Sequence, residues 1–434
     1  MSDRKTKKST AYEDPTYRLE SLRGNTRADL LKAARLYFVD GLEQSEIGEM
    51  NDWDRSKVSR LLKTARKAGV ISVCDNSAVD LKLASRNTRN NELSKALEQK
   101  FNLMHATVVD VSEEFSGVHG FNAALDDKLH ECLATHAAMF IRLRLRNGDH
   151  IGVGGGRAVY YIARELAKNP GPLSKMKVDV TSLTAALPFR ELGVRDFPVM
   201  LDSNNVAYLL YSAFGADMLK SRGELRTISL PTAVQDPTDI RVLFDKYPAA
   251  QILSEQWDRQ HPNHALLGVG IASPDYQNCL LEIGGQTMVP ISEMIKKMRS
   301  LVEIIDKKVA GTKTRDFHYR PLGDTANRPF VIPPPSKPVN IAKMVDAEVR
   351  ALGELSAQID KRLIAVELHQ LKAVEVVIAV AGGLGKLWAL WYILTCPRYR
   401  FINVIFTDSH TARKLLEFKN TLTFPDRTPS KEYA

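Results

Sequence analysis

Between residues 105 and 418 this chain alternates near-continuous apolar runs with amphipathic ones, and few architectures accept that pattern. ATVVDV, HIGVGGG, VDVTSL, RTISLPTA, HALLGVGIAS, VEVVIAVAGG and RFINVIFTD read as strands. NELSKALEQKF, RAVYYIARELAK, NNVAYLLYSAFGA, DPTDIRVLFDKYP, KLWALWYILTC and SHTARKLLEF read as the helices before, between and after them. A strand that is apolar at nearly every position is buried on both faces, and burying both faces requires helices on both sides. The pattern predicts an α/β domain built on a doubly wound parallel sheet.

A stretch of different character stands ahead of that domain. Residues 28–73, ADLLKAARLYFVDGLEQSEIGEMNDWDRSKVSRLLKTARKAGVISV, read as three short helices followed by a strand. Leu30, Ala34 and Tyr37 share one face of the first helix, which Gly41 stops. In the second helix, over 43–50, Ile47 and Met50 are expected to turn inward. Asp54 suits the N-cap of the third, because its carboxylate can accept a backbone N–H left free in the first turn. Val58, Leu61, Leu62 and Ala65 follow at i, i+3, i+4 and i+7 as one buried stripe, and Gly69 ends the helix.

The opposite face carries Arg55, Lys57, Arg60, Lys63, Arg66 and Lys67, with no acid between Arg55 and Lys67. A solvated basic face on an ordinary three-helix unit would show the same charges. The coincidence of helix lengths, cap, stripe and basic face favours a winged helix-turn-helix. It would offer Arg55, Ser56, Lys57, Ser59 and Arg60 to a major groove, with Lys63 and the cations beyond it on phosphates.

The 434 residues have room for two or three domains. The expected order is a disordered basic tail (1–27), the helix-turn-helix domain (28–75), a polar linker (76–91), an effector and oligomerisation domain (92–420), and a tail (421–434). Residues 275–338 break the alternation. They hold one good helix over 292–309 and then a run rich in Pro, Arg and aromatics, expected as an elaborated loop across the open face. No run of 18 apolar residues suggests a membrane span, and MSDRKTKKSTAYEDPTYR lacks the apolar core of a secretory signal. Cys74, Cys132, Cys279 and Cys396 lie far apart without metal-ligand spacing. They read as reduced residues of a cytoplasmic protein that uses no metal or cofactor. The net charge of +9 favours a polyanionic partner.

In a doubly wound sheet, ligands bind outside the carboxyl ends of the strands. Three loops there carry suitable residues. Gly154, Gly155, Gly156 and Arg157 form a strand-to-helix turn whose free N–H groups and guanidinium suit an anion. Arg157 stands where a dinucleotide fingerprint needs its third glycine, so that ligand is disfavoured. Gly382, Gly383 and Lys386 repeat the arrangement without P-loop spacing. Asp324 and Arg328, in GDTANRPF, add a hydroxyl acceptor and a fork for a phosphate, although Asp and Arg four apart also make a simple ion pair.

On these residues the chain resembles the SorC-type bacterial transcriptional regulators and their DeoR-like relatives. EQSEIGEMNDWDRSKVSRLLKTARKAGVISV is similar to their DNA-binding end. NELSKALEQKFNLMHATVVDV, HIGVGGGRAVYYIARELA, LLGVGIASP, LGDTANRPF, VVIAVAGGLGKLWAL and INVIFTDSHTARKLLE are similar to successive blocks of their sugar-binding domain. The resemblance implies an effector domain like the sugar-phosphate isomerases, binding a phosphorylated sugar or related metabolite. It places Gly154, Gly156, Arg157, Arg328, Gly383 and Lys386 in the pocket. The chain departs from the pattern at Asn51, Asp52 and Trp53, where Leu, Gly and Ile are usual, and at Ala158, where Thr is usual. Residues 276–319 also run longer than the pattern expects.

The leading expectation is a regulator, not an enzyme. It would bind a double-stranded DNA operator as a homo-oligomer, a dimer or tetramer, and respond to a small effector, a sugar phosphate, by linkage. The alternative is a sugar-phosphate isomerase or deaminase carrying a nucleic-acid-binding module. That needs a His or carboxylate base at the strand ends, where Asp408 and His410 are the only nearby pair, and no catalytic residue is assigned. A recombinase finds no clustered carboxylates or nucleophile motif to support it.

Overall fold

The computed structural model describes residues 29–37, 42–67, 89–111, 123–185, 201–215, 223–246, 257, 261–272, 289–309, 321–332 and 346–418, except positions 31, 35, 229, 231, 232, 235, 327 and 398. The expected wing, the linker, both tails, Gly41, Gly69, Cys74, Cys279 and most of 275–338 lie outside the described residues. The chain divides into two compact units, one of Met1–Thr88 with Asn169–Ser174 and the other of Arg89–Lys168 with Lys175–Ala434.

In the first unit a helical segment over 29–37 precedes α1 (Gln44–Asn51) and α2 (Arg55–Lys67). Leu30, Ala33, Ala34, Ile47, Val58, Leu61, Leu62 and Ala65 form one buried cluster, so the stripe on α2 packs on the other two helices. α1 starts where the Glu46 carboxylate accepts the Glu43 N–H at 2.7 Å. It ends at Asp52, whose φ of 55° lets the backbone N–H of Asp52 and of Trp53 both reach Gly48 O. Asp adopts this left-handed conformation more readily than most residues, which lets it stand where the related pattern has Gly. Trp53 packs against the cluster in place of an aliphatic side chain. Met50 corrects one expectation. It is 67% exposed, because Ile47 and Trp53 already fill the space beneath the turn.

The second unit holds a seven-stranded sheet, all neighbours parallel, in the order β1-β10-β9-β5-β2-β3-β4. The strands are β1 (His105–Val109), β2 (His150–Val153), β3 (Asp179–Ser182), β4 (Leu225–Arg226), β5 (His264–Gly268), β9 (Val376–Val380) and β10 (Val404–Asp408). Both sets of alternate side chains are buried. Val377, Ala379 and Ile405 join the large apolar cluster on one face, and Val376, Ile378 and Phe406 are equally covered. The doubly wound reading holds, for the reason given by the apolar runs.

The helices are α3 (Asn91–Phe101), α4 (Ala123–Arg144), α5 (Arg157–Lys168), α6 (Ser203–Tyr211), α7 (Pro237–Lys246), α8 (Val289–Val309), α9 (Asp346–Asp360), α10 (Leu387–Thr395) and α11 (Ser409–Glu417). Two of them, α4 and α9, were not anticipated. HALLGVGIAS, read as one strand, breaks after Gly268. Its second part, β6 (Gly270–Ala272), joins β7 (Leu322–Thr325) and β8 (Arg328–Val331) in a separate antiparallel sheet. Part of the expected elaborated loop is therefore ordered sheet.

From β2 the chain winds outward through β3 and β4. It returns to the other side of β2 as β5, then winds the opposite way through β9 and β10. The winding reverses between β2 and β5, and the crevice beyond their carboxyl ends is where such a sheet binds ligands.

Candidate nucleic-acid interface and anion crevice

On α2 the Asp54 carboxylate accepts the Lys57 N–H at 2.6 Å and the Ser56 hydroxyl. These two bonds, the hydroxyl first, hold the Asp54 carboxyl below its ordinary range. Arg55, Ser56, Ser59, Arg60 and Lys63 are exposed along one side of the helix. Arg60 lies back along it, Nε donating to Ser56 O at 3.3 Å. Lys57 is held otherwise. Its Nζ meets Asp29 Oδ2 at 3.1 Å and sits 4.5 Å from the centroid of the Trp53 ring.

In the second unit the two glycine turns stand at the strand ends on either side of β5. After β2, Gly154 N–H donates to Leu266 O and Gly156 N–H to Leu201 O. A Cβ on Gly155 would lie 2.9 Å from Leu201 O, closer than carbon tolerates, so this turn needs glycine to approach the start of α6. After β9, Gly383 has φ 90°, a conformation open chiefly to glycine. Its N–H donates to Asp408 Oδ2 at 2.7 Å. The same carboxylate caps α11 through Thr411 N at 2.9 Å and Thr411 Oγ1 at 2.7 Å. Asp408 thus sets the shape of the second turn and is itself used up in doing so.

The first turns of α4 join the two loops. Asp127 pairs with Arg157 at 3.8 Å, and His130, one helical turn later, meets Lys386 Nζ at 3.0 Å through Nε2. Lys386 is only 8% exposed. Tyr161 links the pairs. Its ring stacks on His130 with centroids 6.4 Å apart, and burial followed by the Asp127 charge pushes its phenol up to about 12. Asp324 is buried against Gly270 at the mouth of β5, and the Thr325 hydroxyl donates to Gly268 O at 3.0 Å. Among the described residues no group of three His, Cys, Asp or Glu could hold a metal.

Arg157, Lys386, Asp324 and both glycine turns therefore gather at the reversal of the sheet. Arg328 does not offer its fork there. Its Nε donates to Val366 O at 2.6 Å, Nη2 to Ala365 O at 2.7 Å, and Nη1 to Asp360 Oδ1 at 2.6 Å. With its side chain only 7% exposed, Arg328 clasps β8 to the segment after α9, and an anion would have to displace those bonds. The side chains that residue patterns missed are Asp127, His130 and Tyr161. The signal was present: Asp127, His130 and Glu131 share one face of a helix by their spacing.

Residues 85–187 and 350–417 match the family model described as "Putative sugar-binding domain". The chain is 25% identical to the deoxyribonucleoside regulator of Bacillus subtilis (strain 168), over 89% of this chain and 96% of that one. It is 26% identical to the sorbitol operon regulator of Klebsiella pneumoniae over 40% of this chain, 55% of that protein. In fold it is similar to the crystal structure of full-length SorC from Klebsiella pneumoniae, with a TM-score of 0.50 and 20% identity over 91% of this chain and 100% of that one. A probable sor operon regulator from Shigella flexneri gives the same score and identity over 76% of this chain and 99% of that one. No helix among the described residues is long and apolar enough to cross a membrane.

Proposed function

We propose, since this chain is a relative of the SorC- and DeoR-type transcriptional regulators, that it binds operator DNA through α2 and changes its operator affinity when a small anionic metabolite occupies the crevice between β2, β5 and β9. The effector we favour is a phosphorylated sugar or polyol. One observation carries the reading. Two glycine turns, each leading to a cation, converge where the winding of the sheet reverses, and a helical unit with an outward basic face stands in the same chain. The N–H groups of Gly154, Gly156 and Gly383 are bonded within the chain, so Arg157 and Lys386, each at the start of a helix, are the groups that suit a phosphate, and the Asp324 carboxylate suits sugar hydroxyls. The Ala158 side chain supplies no hydroxyl there, so the anion would rest chiefly on these cations. A homo-oligomer, dimer or tetramer, would place two copies of α2 on half-sites about one helical turn apart.

The effector acts only through its difference in affinity for the DNA-competent and incompetent forms. Lys386→Ala is expected to abolish the effector response and to leave operator binding without effector intact. Calorimetry with a panel of sugar phosphates tests this. Unchanged affinity in both Lys386→Ala and Arg157→Ala would place the ligand elsewhere. Conversion of the same sugar phosphates by the purified chain would support the isomerase or deaminase alternative, for which the buried Lys386–His130 contact is the favouring observation.

A further inference from the structure

We infer that Lys57, although it stands in the first turn of the helix proposed to enter the groove, is withheld from DNA by Asp29 and Trp53. The inference rests on the DNA-binding reading above. The Lys57 main-chain N–H is fixed by the Asp54 carboxylate at 2.6 Å, so the residue's place at the start of α2 is set. From there its side chain turns back toward the first helical segment. Nζ reaches Asp29 Oδ2 at 3.1 Å and lies over the Trp53 ring, 4.5 Å from its centroid. Trp53 is anchored in turn by packing on the buried cluster.

An exposed ion pair alone restrains a lysine weakly. Here the same ammonium also lies on an indole face, the aromatic surface most attractive to a cation. Both partners belong to the unit that presents the helix, so neither moves away as DNA approaches. The Asp29 carboxylate occupies the place that a backbone phosphate oxygen would take on this lysine.

The consequence concerns overall affinity for DNA and its dependence on salt. Cations that meet phosphates strengthen binding to every sequence alike, while base-edge contacts discriminate. Withholding Lys57 lowers the first contribution for operator and bulk DNA alike and leaves the discrimination by Arg55, Ser56, Ser59 and Arg60 unchanged. Asp29 and Trp53 then set how tightly the unit holds DNA of any sequence, without contacting a base.

The test uses the full-length chain, a random-sequence library of duplexes for base preference, and one fixed duplex without a selected site for salt titration. Asp29→Asn is expected to tighten binding to the fixed duplex about twofold to fivefold. It should also steepen the slope of log affinity against log salt by about 0.9, the signature of one further phosphate contact. Lys57→Gln is expected to leave the selected sequence and the salt slope as in the parent, and to erase the effect of Asp29→Asn in the double variant. Relaxed preference at a base pair in Lys57→Gln, or a salt slope unmoved by Asp29→Asn, overturns the inference. A parent chain that retains no duplex at all overturns the DNA-binding reading instead, so the two failures are distinguishable.

Discussion

Arg60 and Lys63 stand three residues apart on the exposed side of α2, and on the proposed DNA-binding reading their places in the helix lead to different expected tasks. Arg60 is nearer the N-terminus, where a recognition helix meets base edges, while Lys63 lies a turn further along. Arg60→Ala is expected to cost about 1–3 kcal/mol of operator affinity and to relax sequence preference. Lys63→Ala should weaken all sequences alike and flatten the salt dependence by about one phosphate contact. Competition gel shifts with operator and unrelated duplexes separate the two. An Arg60→Ala variant that binds the operator as tightly as the parent would remove α2 from the groove. At this scale charge and spacing on α2 were readable in advance, but the partner of Lys57 was not. Asp29 is 28 residues away in sequence and meets Lys57 only because the stripe on α2 packs on the first helical segment.

Among the elements, the β2–β3 ladder carries a pH dependence. His150 opens β2, and its Nε2 lies 2.6 Å from Thr181 Oγ1 on β3. Burial first, then the Arg226 charge, pushes the His150 imidazole down to about 4. The folded state therefore binds this proton less readily than the unfolded chain. Its contribution is present in full above about pH 6.5 and is lost as pH falls toward 4, about 2–3 kcal/mol in all. Denaturant unfolding of the full chain at pH 7.5 and 4.5 checks this. His150→Gln should lose less stability than the parent between those values, and equal losses would exonerate His150. The apolar runs announced β2 and β3 themselves. They did not announce the break after Gly268, because HALLGVGIAS is apolar on both sides of it and only pairing with β7 shows that the chain has changed sheets.

The chain holds a small helical unit and a large sheet unit, and the proposed mechanism needs both. A fragment of residues 1–89 is expected to bind operator far more weakly than the full chain. Joining two reading units through an oligomer makes the second half-site contact intramolecular, which raises avidity by about 10²–10⁴. Light scattering of the full chain gives the companion measurement, and a monomer at the concentration used for DNA binding would refute the proposal of oligomer-borne avidity. The sequence by itself determined the class of both units. Period-two and period-3.6 burial patterns are local, and they record how many faces of each element are covered. What only the tertiary structure decided is which side chains share a site. The strands read alike, so nothing in their composition states the order β1-β10-β9-β5-β2-β3-β4 that brings Arg157 and Lys386 to neighbouring residues of α4. Arg328 makes the same point in reverse. As a residue type it suits a phosphate, and only the packed chain shows its guanidinium spent on Asp360, Ala365 and Val366, because a buried fork must satisfy its donors wherever carbonyls lie within reach.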